Sequence, residues 1–139
     1  MKDLQTIIKM NEKAVEMHNE CQQEKALENI LNNLEYDHSI IYRLYIGKND
    51  KDSGKQELND QYFIDCISMV LSENNIDGFT LIESVGYWKG KPEKTIILEI
   101  VVTDFDTIEN TIAKSVEMLK KYFRQESIMV TKNHINVAF

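Results

Sequence analysis

Residues 76–102, IDGFTLIESVGYWKGKPEKTIILEIVV, hold two apolar runs that alternate with period two on either side of a short basic stretch. In the first run Phe79, Leu81, Glu83, Val85 and Tyr87 oppose Thr80, Ile82, Ser84, Gly86 and Trp88. In the second, Ile96, Leu98, Ile100 and Val102 oppose Ile97, Glu99 and Val101. Alternation of this kind marks strands that bury one face. Residues 89–94 between them are few enough to close a hairpin.

Working outward, residues 39–47 alternate in the same way, with Ile40, Tyr42, Leu44 and Ile46 on one side and Ile41, Arg43 and Tyr45 on the other, until Gly47 ends the run. The polar segment 47–60 reads as a mobile loop leading to a helix capped by Asn59 or Asp60, with Phe63, Ile64, Ile67, Val70 and Leu71 inward. Asp106 followed by Glu109 resembles a capping box, opening a helix to Arg124 that buries Ile108, Ile112, Val116, Leu119 and Phe123. Residues 128–130 and 135–139 supply the last strand. The order is βαββαβ, so residues 39–139 are expected to form an α+β, ferredoxin-like antiparallel sheet with two helices on one face. Its other face, bearing Ile41, Tyr45, Ile97 and Val101, is too apolar to be wholly wet and calls for a cover.

Residues 1–36 form an N-terminal helical extension. Residues 3–34 lack Gly and Pro, and Ile7, Met10, Ala14, Met17 and Cys21 follow a three-four spacing. The stripe fails at Glu24 and Glu28, which predicts a break or a change of face near residues 22–25. Met10 and Met17 are read as interface residues, core or seam between copies, and the extension as an assembly or capping element.

At 139 residues the chain has room for one domain and an appendage. A net charge of −7 argues against direct binding to nucleic acid or to an anionic membrane. The N-terminus lacks an uninterrupted apolar core and no run approaches a membrane span, so a cytoplasmic protein is the default expectation. Cys21 and Cys66 share no ligand-like spacing and are expected as buried free thiols. Abundant Ile, Asn, Lys and Glu with one Pro suit an AT-rich genome, such as that of a low-GC bacterium or its phage.

The order βαββαβ, with Tyr42-Arg43-Leu44-Tyr45-Ile46-Gly47, Asp77-Gly78-Phe79-Thr80, then Gly86-Tyr87-Trp88-Lys89-Gly90 and Glu93, resembles PII-like small bacterial or phage proteins over residues 39–102. The resemblance implies a homo-oligomer, commonly a trimer, binding small nucleotides or metabolites in clefts between subunits. The chain departs from the signalling members by lacking their long loop between central strands and by adding the N-terminal helix.

Catalytic signatures are not found. Residues 47–56, GKNDKDSGKQ, place six residues between the glycines and Gln after Lys, which does not make a Walker phosphate loop. Asp50 and Asp52 fail as a calcium loop because Gly54 comes a residue early. His18, His38 and His134 show no metal-ligand spacing, so neither metal nor cofactor is expected. Trp88, Lys89 and Lys91 make an aromatic, basic hairpin tip suited to a ring and an anion, although a packed edge aromatic with solubilising lysines is the plainer use. Arg43 and Glu99 are expected to pair across strands at a subunit interface. The function expected is therefore non-enzymatic: an oligomer, dimer or trimer, that binds or sequesters a small anionic or nucleotide-like ligand through Arg43, Tyr45, Trp88, Lys89 and Lys91, in a phage setting as an anti-defence device. The alternative is an acidic interaction module or inhibitor that docks a basic protein partner through Asp3, Glu12, Glu16, Glu20, Glu24 and Glu28.

Overall fold

The computed structural model describes residues 3–103 and 108–139. The elements run α1 (Leu4–Asn32), β1 (Asp37–Gly47), α2 (Asp60–Glu73), β2 (Thr80–Trp88), β3 (Lys91–Val102), α3 (Ile108–Tyr122) and β4 (Met129–Val137). The chain divides into two units. Residues 1–36 with the last two residues make one, and Asp37–Val137 the other.

In the larger unit the four strands pair antiparallel in the order β2-β3-β1-β4, the ferredoxin-like α+β arrangement that the alternation predicts. The two central strands set the core. Ile40, Tyr42, Leu44 and Ile46 of β1 and Ile96, Leu98 and Ile100 of β3 are at most 5% exposed, and they share a face because they pair in register. Onto that face α2 packs Phe63, Cys66, Ile67, Val70 and Leu71, and α3 packs Ile112 and Leu119, with Phe123 just beyond its end. Asn59 caps α2 by accepting the Tyr62 N–H at 2.8 Å. Asp106, the expected cap of α3, lies outside the described residues. The first turn of α3 is tied to the sheet instead through Glu109, whose carboxylate accepts from the Tyr42 hydroxyl at 3.4 Å and pairs with Lys132. Burial, more than its charged neighbours, raises the Tyr42 hydroxyl above its ordinary pKa.

Several boundaries differ from the sequence expectation. β3 starts at Lys91, so the hairpin closes through Lys89 and Gly90 alone, with Trp88 paired to Lys91. Both turn residues have positive φ, 50° and 76°, the signature of the twisted two-residue turn that antiparallel strands favour. β4 is one continuous strand. The first unit is one helix without the expected break, α1, capped by Asp3, whose carboxylate accepts the Thr6 N–H at 2.7 Å. None of its residues is buried, so Cys21 is exposed, while Cys66 is buried as expected. No described helix is long and apolar enough to cross a membrane.

Lys89 holds a left-handed conformation that costs a branched or long L-residue energy and that Asn tolerates better. Lys89→Asn is expected to raise the unfolding free energy in urea by about 0.5–1 kcal/mol. A drop in stability would show that the Lys89 ammonium, 5.7 Å from the centre of the Trp88 ring, contributes more than its backbone costs.

Candidate functional site

The sheet face opposite the helices carries the residues of interest in successive rows. One row crosses all four strands as Ile82, Ile97, Tyr45 and Met129, and the row beside it as Thr80, Glu99, Arg43 and Thr131. Ile82 and Met129 are 42% and 59% exposed. Arg43 and Glu99 do meet, Nε to Oε2 at 3.0 Å, as a half-buried pair. Toward the other end of the face follow Thr95 opposite Gly47, then Glu93 opposite Gly86, then Lys91 opposite Trp88.

Here the sheet runs into a cleft of about 490 Å³. Its walls are Trp88, Lys91, Pro92 and Glu93 from the hairpin, Asn49, Asp50, Lys51 and Gly54 from the β1–α2 loop, and Gln125, Glu126 and Ser127 from the segment before β4. The Trp88 ring is 72% exposed. Of the sequence-predicted ligand residues, Trp88 and Lys91 line the cleft and Lys89 sits beside them in the turn. Arg43 and Tyr45 share the same face, but six residues along β3 separate Ile97, the partner of Tyr45, from Lys91, a distance of about 20 Å. The nearer edge of the cleft, at Glu93 and Asn49, lies four residues from Ile97 and Tyr45, about 13 Å along the strands. Met10 and Met17 stand exposed on α1. The broad trough along that helix between Ile8 and Gln23 has a single helix for walls and encloses nothing.

Two glycines are explained by side chains that lie across them. Its carboxylate lies across Gly47, where a Cβ would come within 2.4 Å of Oε1, and accepts the Asn49 N–H at 2.9 Å. At Gly86 a Cβ would meet the Thr95 hydroxyl at 2.9 Å. The Gly, Trp and Glu of the hairpin are thus parts of one local structure.

The loop expected to be mobile is fixed from two directions. Asp50 accepts the N–H groups of Asp52 and Ser53, at 2.9 and 3.2 Å, and Arg124 donates from Nε to the other Asp50 oxygen at 2.6 Å. Arg124 also pairs with Asp52, Lys51 donates its N–H to the Arg124 carbonyl at 3.0 Å, and Gln125 donates to the Asn49 carbonyl at 2.7 Å. The Asp52 amide first, then the Arg124 guanidinium and the Ser53 amide, hold the Asp50 carboxyl below its ordinary pKa. At the loop's other end the 4%-exposed Lys48 ammonium reaches Asp60 at 3.1 Å. By contrast, Lys51 and Lys91 in the cleft have no ion-pair partner among the described residues.

Sequence reasoning missed the far wall of the cleft, since Asp50 and Arg124 lie 74 positions apart. It also missed the stacking of His38 on His134, ring centres 5.4 Å apart, which only the β1–β4 register creates. Among the described residues no three His, Cys, Asp or Glu side chains gather as a metal site.

Fold and cleft define a ferredoxin-like domain with a pocket at one end of its sheet that carries an aromatic ring and charges of both signs. The chain belongs to the family described as Protein of unknown function (DUF3574), whose model matches residues 42–139. No curated protein matches its sequence. Among solved structures it is similar to a phage SAM lyase in the apo state, at 18% identity and a TM-score of 0.51, over 75% of this chain and 90% of that one. Looser likenesses are a phage SAM lyase in complex with S-methyl-5'-thioadenosine, at 15% identity and TM-score 0.48 over 73% and 90% of the two chains, and CPII, a nitrogen regulatory PII-like protein from Thiomonas intermedia K12 bound to ADP, AMP and bicarbonate, at 13% identity and TM-score 0.46 over 76% and 98%.

Two expectations follow. Because Asp50 is shifted down, its clamp is complete above the ordinary aspartate value of about 3.9 and is lost as pH falls through the lower folded-state value. Asp50→Asn removes the charge at neutral pH, and amide exchange of Lys51 to Gly54 is expected to speed up roughly tenfold; unchanged exchange would show the loop is held elsewhere. Gly47→Ala is expected to keep the fold, with a loss of about 1–2 kcal/mol, because the flexible Glu93 carboxylate moves aside and gives up the Asn49 N–H. The Asn49 amide resonance in NMR would report that displacement.

Proposed function

We propose that this protein is a non-enzymatic, homo-oligomeric binder of a small ligand with a flat ring and an anionic group, a nucleotide-like molecule being the best fit. The observation that carries this reading is the exposed Trp88 ring on the wall of a cleft that also presents Lys91 and Lys51. A ring stacks on the indole, and the two ammonium groups meet phosphate or carboxylate oxygens. The cleft volume of about 490 Å³ falls in the range of roughly 300–1,000 Å³ usual for ligand pockets. Two of its three carboxylates favour binding over chemistry, since Asp50 is committed to Arg124 and the loop amides and Glu93 to the Asn49 N–H.

The ligand lies between subunits in this reading. Arg43 and Tyr45 are not among the residues that line the cleft, and in this reading they act on the ligand from a neighbouring copy seated on the open sheet face. The exposed apolar row through Ile82 and Met129 supports such an assembly. Sequestration of a nucleotide signal in a phage is the biological role that follows.

Trp88 is the only tryptophan in the chain, so its fluorescence reports on the cleft alone. Titration with AMP, ADP, SAM and S-methyl-5'-thioadenosine is expected to quench or shift it for at least one ligand. Lys91→Glu should weaken that binding by roughly tenfold or more, and native mass spectrometry should find the ligand on an oligomer at regular stoichiometry. Absence of any response across the panel would remove the nucleotide-like reading, and a ligand recovered chemically altered after incubation would remove the non-enzymatic one.

A further inference from the structure

α1 is a 29-residue helix with no buried residue. Ile7, Met10 and Met17 stand 44–61% exposed. That much apolar surface on a bare helix is costly in water, and most helices in proteins owe their stability to packing of such a face.

The spacing of the stripe says what covers it. Ile7, Met10, Ala14, Met17 and Cys21 follow steps of three and four, the seam of a two-helix coil with Ile7, Ala14 and Cys21 at one core position and Met10 and Met17 at the other. Glu24 and Glu28 fall on the continuation of the same seam, so close pairing ends just past Cys21. The flanking positions then fix direction. When two copies lie parallel and in register, Glu20 of each faces Lys25 of the other. Turned antiparallel about the same seam, with Cys21 beside Met17, Glu20 faces Glu20. His18, the other flanking side chain at this level, is held by its own helix, with Gln22 Nε2 at 3.0 Å.

We propose that α1 pairs with α1 of a second copy, parallel and in register, so that Cys21 of one chain faces Cys21 of the other across the seam. The partner is thus another copy of this chain, recognised by an apolar stripe that matches itself and by reciprocal Glu20 to Lys25 contacts. This inference does not rest on the ligand reading, since it is argued from the spacing, exposure and charge of α1 alone.

The test uses the full chain at micromolar concentration under mild diamide oxidation, which removes two electrons and two protons from a pair of facing thiols and joins their sulfurs. A disulfide-linked dimer is expected from the wild type and from Cys66→Ala, and none from Cys21→Ser. Met17→Glu, on an exposed helix face, should slow cross-linking roughly tenfold or more by putting carboxylates in the seam. Glu20→Lys should weaken assembly severalfold, and adding Lys25→Glu should restore it. A monomeric mass in native mass spectrometry, an oligomer that gives no Cys21 cross-link, or equal cross-linking in Met17→Glu would each overturn the proposal, the last because the thiols would then be meeting by collision.

Discussion

The antiparallel pairing of β1 with β3, Ile40 opposite Val102 through Gly47 opposite Thr95, is the constraint from which the rest of the larger unit follows. Side chains alternate with period two, so a slip of β1 by one residue against β3 would turn Leu44 and Ile46 from the helices to the open face and bring Arg43 inward, away from Glu99. Burying that unpaired charge under α2 and α3 would cost several kcal/mol. The apolar and charged residues therefore agree on one register. That register delivers Gly47 to the place where the Glu93 side chain must cross, and so builds the cleft at the strand ends.

Much of this was legible in the chain, and the reasons divide cleanly. Alternation in residues 40–46 and 95–102 survives reading because both strands bury one face in the core. The same is true of Phe63, Ile67, Val70 and Leu71 at helical spacing. The start of β3 was not legible, because Lys91, Pro92, Glu93 and Lys94 look like a loop; Pro92 is tolerated there beside the turn, at the outer end of a hairpin. Lys-Gly is also a weaker sign of a two-residue turn than Asn-Gly. Trp88 and Lys91 could be singled out by their chemistry, whereas the wall facing them depends on Arg124 and Gln125, distant in sequence and read beforehand only as the end of a helix.

The order of the β1–α2 loop shows how polar composition misleads. Residues 48–56 hold little that is apolar, and such stretches usually run loosely over a surface. Here the polar groups have fixed partners. Asp50 gathers two loop amides and one guanidinium, while Arg124 is presented by a left-handed residue at the end of α3, with φ 50°. The backbone N–H of Gln125 returns to the Lys120 carbonyl and that of Arg124 to Lys121, so the terminus of α3 is itself closed. A charged residue on a rigid helix end then acts as an anchor for a loop that has no core of its own.

Charge is distributed along the open face with the same logic. Arg43 and Glu99 neutralise each other in the middle of an apolar surface, which keeps that surface free of an unpaired charge and leaves it fit to meet another protein surface. At the end of the face the composition changes: Asp50 is engaged by Arg124 and loop amides and Glu93 by the Asn49 N–H, while Lys51, Lys91 and Glu126 share the cleft walls. The face is thus neutral and apolar in one region and charged and aromatic in the next. About 20 Å of strand separates Ile97, opposite Tyr45, from Lys91, so one sheet face carries two regions of different chemistry, each fixed in place by the same register.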